Sequence, residues 1–183
     1  LAKSEQSTIT DSSFKGRIVN TYETTAAYNI GGLVGHLTGE NASIAKSKAT
    51  IAISSNANSS DQTVGGLVGL VDNDAHVRDS YAEGDINNVK QFGEVAGVAG
   101  YLWDRTSGKE QHAGSLTNVL SDVNVTNGNA ITAYHYNNMK VTATFSNKAN
   151  RVIKVALEND EVVSKESFEE RGTMLDASEV TNK

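Results

Sequence analysis

The sequence predicts an all-β fold, a parallel β-solenoid of three to four coils with a C-terminal helical or irregular cap, on three observations. The first is a repeated pentad. Gly-Gly-Leu-Val-Gly occurs at 31–35 and 65–69, and a looser Ala-Gly-Val-Ala-Gly stands at 96–100. Their starts lie 34 and 31 residues apart, in the range where a fixed period marks stacked repeats. The second is a strand-like patch after each pentad. Residues 47–53 line up with 80–86 and 119–125, residues 13–18 form a partial earlier copy, and an apolar residue recurs at 18, 53, 86 and 125. The third is the absence of Pro from all 183 residues. Pro removes a ladder donor, so its absence suits a backbone paired along stacked strands. A β-sandwich is the alternative that short strands with turn signals also permit.

Each element has a local reason. Ala49, Ile51 and Ile53 fall on one face and Thr50 and Ala52 on the other, the period-2 pattern of a half-buried strand. Val119, Ser121, Val123 and Val125 repeat it, with Asp122 and Asn124 facing outward. The pentads read as corners. Leu33, Val34, Leu67 and Val68 supply apolar content to a shared interior. Gly31, Gly32, Gly35, Gly65, Gly66, Gly69, Gly97 and Gly100 serve as structural glycines, permitting positive φ and close backbone approach. A phosphate cradle needs a strand leading into a helix N-terminus. Gly35 leads instead into His36-Leu37-Thr38-Gly39 and another strand.

Polar turns at 56–61, 87–88, 106–110 and 127–129 are rich in Asn, Gly, Asp and Ser, which bond locally or tolerate left-handed backbone. The longest insertion lies between Gly100 and Leu116. Insertions in stacked repeats cluster on one face, often the binding face. After Asn129 the glycines of the repeat disappear, although 131–134 and 140–145 still read as strands. Ser164 to Gly172 reads as a short helix with Ser164 as N-cap and Gly172 as stop. This divides the chain into a repeat region, 1–150, and a C-terminal cap and start of a linker, 151–183. Both ends read as cuts through a longer protein.

Composition narrows the function. Net charge is −6 with no basic patch, which argues against a nucleic-acid partner. No apolar run approaches the ~18 residues of a membrane span, and a monomer is expected of the isolated segment. With no Cys, disulfides and thiolate metal sites are excluded. The one cluster of interface-type residues is Tyr101-Leu102-Trp103-Asp104-Arg105, on the longest insertion. Tyr, Trp and Arg dominate binding hot spots because they bury large area and still hydrogen-bond. Tyr101, Trp103, Arg105 and the nearby His112 are therefore the candidate binding residues. The competing reading has Tyr101 and Trp103 on one strand face, packed into the core beside Ala96, Gly97 and Ala99.

Two further constellations are weaker. Asp72-Asn73-Asp74-Ala75-His76, with Glu83 twelve positions along, has the outline of a calcium loop, but Val77 occupies the position where that loop needs Gly. A solvated loop is the better reading. Glu83, Asp85 and Asp122 lie on comparable turns, and two of these three carboxylates could pair for hydrolysis, though outward carboxylates usually serve solubility and edge protection.

The Gly-Gly-Leu-Val-Gly pentad followed by Ser-Tyr-Ala-x-Gly-x-Ile resembles the GLUG repeat of large bacterial surface proteins, over about residues 10–130. The whole chain, including its degenerate tail from Val152 to Asn182, resembles the repeat-bearing, non-catalytic region of immunoglobulin A-specific zinc metalloproteases of Gram-positive bacteria. The resemblance implies a β-solenoid upstream of a zinc domain, in a secreted or wall-associated extracellular enzyme that cleaves the antibody hinge. It implies an accessory domain that binds or positions immunoglobulin A, or packs on the protease's own catalytic region. The alternative is a structural spacer or adhesin stalk without substrate contact. Such a protease needs two His four apart on a helix with a Glu between them. None of His36, His76, His112 and His135 is followed by that pattern. No catalytic or metal residue is therefore carried over, no cofactor is expected in this segment, and zinc is expected elsewhere in the full protein. A repeat fold requires Leu33, Leu67 and Val98 to stack in one column.

Overall fold

The computed structural model describes residues 1–21, 26–59, 61–90, 93–107, 110–134, 140–147, 149–158, 161–166 and 172–180. The chain returns to the same three sheets again and again. Its first pass comprises β1 (Lys3–Glu5), β2 (Thr8–Thr10) and β3 (Ser13–Val19). The second comprises β4 (Tyr28–Gly31), β5 (Val34–Thr38), β6 (Ser43–Ala45) and β7 (Lys48–Ser55). The third comprises β8 (Gln62–Gly65), β9 (Val68–Asp72) and the long β10 (His76–Asn88). The fourth runs through β11 (Glu94–Ala96) and β12 (Ala99–Leu102), detours through β13 (Asp104–Ser107) and β14 (Glu110–Ala113), and resumes at β15 (Ser115–Thr126). Then follow β16 (Thr132–Tyr134), β17 (Lys140–Asn147), β18 (Val152–Glu158), β19 (Glu161–Glu166), β20 (Thr173–Leu175) and a one-turn helix α1 (Ala177–Val180).

The sheets are parallel stacks in the orders β4-β8-β11, β1-β5-β9-β12-β16 and, for the longest, β2-β6-β10-β15 joined by β3-β7-β10. Among the described strands, only β13–β14 and β18–β19 pair antiparallel. The expected all-β fold with parallel strands is present. The expected column is present too. Leu33 N–H donates to Leu67 O at 2.9 Å, Leu67 N–H to Val98 O at 2.9 Å, and Val98 N–H to Ile131 O at 3.2 Å. Ile131 extends the column into the part of the chain where the glycines are lost, and Asn129 bridges to Ala96. The second patches align as their sequence says, with Ile18 beside Ile53, Ile53 beside Ile86, and Ile86 beside Val125. Val152 adds a fifth member.

Inward residues build one continuous core. Leu37, Ile44, Leu67, Ile86, Leu102 and Leu116 are fully buried, and burying each such side chain contributes about 1.5–3 kcal/mol. Alternation holds in the long sheet, where Ala49, Ile51 and Ile53 are buried and Ala52 is exposed. The pentad glycines work by close approach alone. A Cβ on Gly66 would overlap the carbonyl oxygen of Gly97 and meet the Ala82 methyl at 2.7 Å. Their positive φ, expected above, is not observed: Gly39, Gly84, Gly93 and Gly172 are the described glycines in that region. The corners turn with ordinary backbone angles, and the absent side chain is what the stacking needs.

Left-handed backbone occurs instead along a line across the long sheet. Asp11, Lys46, Asp79, Asn118 and Ala143 all have φ between 48° and 52° and occupy matching places in successive strands. Asn and Asp are the non-glycine residues that tolerate this region best. A serine ladder accompanies the bend. Ser12 N–H donates to Ser47 Oγ at 3.2 Å, Ser47 N–H donates to Ser80 Oγ at 3.0 Å, and each of these hydroxyls donates to the carbonyl two residues before it. The bend thus keeps its buried polar groups paired.

The described start of the expected helix, Ser164–Glu166, is strand and not helix. Ser164 lies in β19, paired antiparallel with Val155 of β18. β-Branched Val162 and Val163 beside an available strand favour a hairpin over a helix; residues 167–171 lie outside the described residues. The short helix falls at Ala177–Val180, where Asp176 N–H donates to Glu179 Oε2 at 2.8 Å.

Gly66→Val is expected to destabilise the protein by about 3 kcal/mol, at the upper end for overpacking, because a fixed carbonyl blocks the added atoms. Gly16→Ala should cost less than about 1 kcal/mol, since its added methyl meets only the movable Phe14 ring, at 2.8 Å. Urea melts of the two variants compare them directly, and equal losses would show that the glycines do not set the stacking.

Candidate functional site

The longest insertion leaves the stack between β12 and β15 as the hairpin β13–β14. Its neck is fixed by the backbone. Trp103 N–H donates to Val71 O at 2.9 Å and Gly114 N–H donates to Trp103 O at 3.4 Å. Beyond the neck, Asp104 pairs with Ala113, Arg105 with His112, and Ser107 with Glu110. His112 Nδ1 and Asp74 Oδ2 lie 2.6 Å apart, each side chain about a third exposed (34% and 35%). Asp74 belongs to the turn leading into β10, held by left-handed Asn73 and Asp74 and by the bond from Asn73 Nδ2 to Thr38 Oγ1 at 2.9 Å. The contact between His112 and Asp74 therefore ties the hairpin to the preceding pass of the chain.

The structure divides the four candidate binding residues. Arg105 and His112 are cross-strand partners. Tyr101 stands at the base, in register with Leu70 and Tyr134. Trp103 sits at the neck. Tyr101 and Trp103 are half-buried, and the fully buried residue between them is Leu102. The reading that put Tyr101 and Trp103 together in the core is corrected: the period-2 alternation has the opposite phase, so Leu102 fills the interior. Asp74 was not singled out from the sequence as a partner of His112. The two lie 38 residues apart, and only the register of the stack brings them together. A second Tyr-rich run in the sequence, Tyr134-His135-Tyr136, falls largely outside the described residues.

Asp72-Asn73-Asp74-Ala75-His76 forms a tight turn, with Ala75 N–H donating to Asp72 O at 3.1 Å. Asp72 is not a solvated loop residue. It is fully buried, and its Oδ1 lies 3.1 Å from His36 Nε2. Glu83 is drawn away to Lys48 Nζ at 2.9 Å and Thr50 Oγ1 at 2.7 Å. Among the described residues no group of three or more His, Asp or Glu side chains is placed to hold a metal.

On the outer face of the long sheet lies a groove of about 360 Å³, lined by Tyr81, Leu120, Phe145, Asn118, Glu83 and Asp122 among others. Glu83 and Asp122 are neighbours in register, but their partners suit structure rather than hydrolysis. Asp122 Oδ1 accepts from Asn147 Nδ2 at 2.7 Å and Asn150 Nδ2 at 3.0 Å. Asp85 Oδ1 accepts from Asn124 Nδ2 at 3.0 Å. Burial acts to raise the Glu83 pKa, yet the Thr50 hydroxyl and the Lys48 ammonium outweigh it and hold the carboxyl below its usual range. A general acid for sugar hydrolysis needs the opposite shift. The Lys48 ammonium also lies 4.6 Å from the Tyr81 ring centroid.

Two outcomes follow. Asp74→Ala is expected to speed amide exchange in Glu110–Ala113 severalfold, while Val77 to Ile86 stays protected; unchanged exchange in the hairpin would show that His112 does not hold it. Because the folded pKa of Glu83 is depressed, its stabilisation is present above its ordinary value of 4.5 and is lost as pH falls through the lowered folded value. Glu83→Gln should be less stable than the parent at pH 7, and the gap should close on acidification below about 4.5, read from urea midpoints at each pH.

The GLUG motif matches residues 26–54 and 60–87, the stretches that hold the two Gly-Gly-Leu-Val-Gly pentads and the strands that follow them. An immunoglobulin A1 protease of Streptococcus pneumoniae strain R6 is 81% identical over all 183 residues, which span 9% of that protein. The zinc metalloprotease ZmpC of Streptococcus pneumoniae serotype 4 is 31% identical over 136 residues, 74% of this chain and 7% of that protein. A solved structure of an IgA1 protease superposes with a TM-score of 0.86 at 73% identity, covering 98% of this chain and 14% of that one. The chain thus carries the GLUG motif and, along its whole length, is homologous to one stretch of the much larger streptococcal immunoglobulin A1 proteases.

Proposed function

We propose that this segment is a non-catalytic accessory domain of a secreted or wall-associated immunoglobulin A-cleaving zinc metalloprotease, and that it binds or positions the antibody. Its stacked parallel sheets are read as a β-solenoid over 1–150. Residues 151–183, with the antiparallel β18–β19 hairpin, are read as the cap that closes its last strands. The observation that carries the reading is the tethered insertion. A hairpin leaves an otherwise regular stack, is pinned by His112 to Asp74, and presents half-buried Tyr101 and Trp103 at its base.

Such a surface suits recognition, because large aromatic side chains bury area at little entropic cost when their backbone is already fixed. The zinc and the bond cleavage belong to another part of the longer protein; the His pattern required for that metal is absent from this sequence. Weak contact is sufficient for a tethered module, since linkage to a catalytic domain raises the effective concentration of substrate. The spacer reading rests on a different observation, the regular column of Leu33, Leu67, Val98 and Ile131, which gives a rigid support without any contact surface.

The test is an NMR titration of the chain with intact immunoglobulin A1. Localised shifts at Tyr101, Trp103, Arg105 and His112, reduced at least tenfold in affinity by Trp103→Ala, are expected. No perturbation at hundreds of micromolar would sink direct recognition and leave the spacer.

A further inference from the structure

A half-buried strand puts polar residues on its outer face, and one column on the outer face of the long sheet departs from that pattern. Lys48, Tyr81, Leu120 and Phe145 are neighbours in register across β7, β10, β15 and β17. Leu120 is only 7% exposed, yet it lies outside the core cluster. Val119 belongs to that core and Ser121 meets Gly97 across the interior, so Leu120 points outward. It is the floor of the groove of about 360 Å³, with half-buried Tyr81 and Phe145 one strand to either side. The strands that bear these two rings are roughly 10 Å apart, the width of one aliphatic stem seated between two aromatic side chains.

Three carboxylates line the groove, and two of them have cations. Arg78 Nη1 lies 3.2 Å from Asp79 Oδ2, and Lys48 Nζ lies 2.9 Å from Glu83 Oε1. Asp122 has neutral partners. Asn147 Nδ2 and Asn150 Nδ2 both donate to its Oδ1, Oδ2 stays outside those bonds, and among the described residues no cation pairs with it. The neighbouring position shows what such a carboxylate accepts. The Lys48 ammonium bonds Glu83 and lies 4.6 Å from the Tyr81 ring centroid, within the distance at which an aromatic face attracts a cation. Moved one strand on, Asp122 stands for Glu83, Leu120 for Tyr81, and Tyr81 for Lys48. The carboxylate is retained and its lysine is not.

We propose that this groove is a docking site for a lysine side chain presented by a protein partner, its stem on Leu120 between Tyr81 and Phe145 and its ammonium at Asp122 Oδ2. Lysine suits the place better than arginine. Asp122 offers one oxygen, a point contact, whereas a guanidinium gains most from a bidentate pair. The stem covers apolar surface while the ammonium keeps its charge partner. At the other end of the groove Asn118 donates its amide to Asp79 Oδ1 at 2.8 Å. Its own Oδ1 is then the acceptor for an N–H of the backbone that carries the lysine, a contact a free amine would not use. The site lies on β10, β15 and β17 and does not depend on antibody contact at the β13–β14 hairpin.

The test is an NMR titration of the full chain with the peptide acetyl-Gly-Thr-Lys-Thr-Gly-amide, beside the same peptide with norleucine in place of lysine. At about 10 mM peptide, the range for a single weak contact, the lysine peptide is expected to shift the amides of Tyr81, Leu120, Asp122 and Phe145. The norleucine peptide should leave them unmoved. Asp122→Asn keeps an oxygen for the two asparagine amides and removes the charge. It should weaken binding about fivefold, the upper end for one exposed ion pair, with amide exchange in β15 as in the parent. Equal shifts with the two peptides, or none with either, would overturn the proposal, and this comparison needs no variant. Undiminished affinity in a folded Asp122→Asn chain would overturn it as well. Tighter binding after removal of residues 181–183 would assign the groove to Lys183 of the chain itself and overturn a partner as its occupant. The antibody titration is read at the hairpin and stands or falls separately.

Discussion

The closest constraint in this molecule is the contact between a Gly-Gly corner and the carbonyl of the next one. Gly32 lies against Gly66 O, Gly66 against Gly97 O, and Gly97 against Ala130 O. Parallel strands stack about 4.8 Å apart, a spacing that leaves no room for a methyl group at these points. Across the interior, the same glycines face a column of small residues, Ala49, Ala82 and Ser121. The interior is narrow there, so small residues are required on both walls. Leu33, Leu67, Val98 and Ile131 follow immediately and fill the wider part of the core. The repeat is therefore a unit of two shapes, one absent side chain and one large one, and register errors would set a leucine where only hydrogen fits.

The long sheet meets a second demand, a bend in the middle of its strands. Five residues in left-handed conformation lie in line across it, and a serine hydroxyl beside the bend accepts the amide hydrogen of the neighbouring strand. The ladder runs through Ser12, Ser47 and Ser80 and ends where Val119 takes the next place. From there the strand order becomes less regular, with β17, β18 and β20 sharing the edge of β15 and its neighbours. The loss of glycine at Ala130 belongs to the same region: no further Gly-Gly corner is stacked on it among the described residues, so a methyl group is tolerated.

Within this regular frame the β13–β14 insertion is the element that departs from repetition. The frame supplies what a hairpin of this size lacks by itself, a fixed neck at Trp103 and Gly114 and an anchor at Asp74. A two-stranded ribbon is marginal alone in water, so its presentation depends on the strands beneath it. This links the stability of the stack to any recognition the insertion performs. Loosening the Gly-Gly contacts would disturb the insertion at a distance, through the register of β12 and β15.

The sequence by itself determined the strands, their repeat and their inward faces. Period-2 alternation at Ala49–Ile53 and at Val119–Val125 is local information, and the recurrence of Gly-Gly-Leu-Val-Gly fixes which segments are equivalent. The resemblance to the GLUG repeat was carried by the same residues. Tertiary structure decided what depends on the neighbour one pass away. That the pentad glycines serve close approach and not positive φ follows from carbonyls some thirty residues distant. That Leu102, not Tyr101 or Trp103, turns inward depends on the phase of a short strand, which two alternating apolar readings left open. The pairing of His112 with Asp74, and of Glu83 with Lys48, required the register of adjacent strands. Ser164–Glu166, expected to open a helix, lie instead in a strand because β18 was there to pair with them. In a stacked fold local pattern selects the element, and the adjacent layer selects what each side chain in it can do.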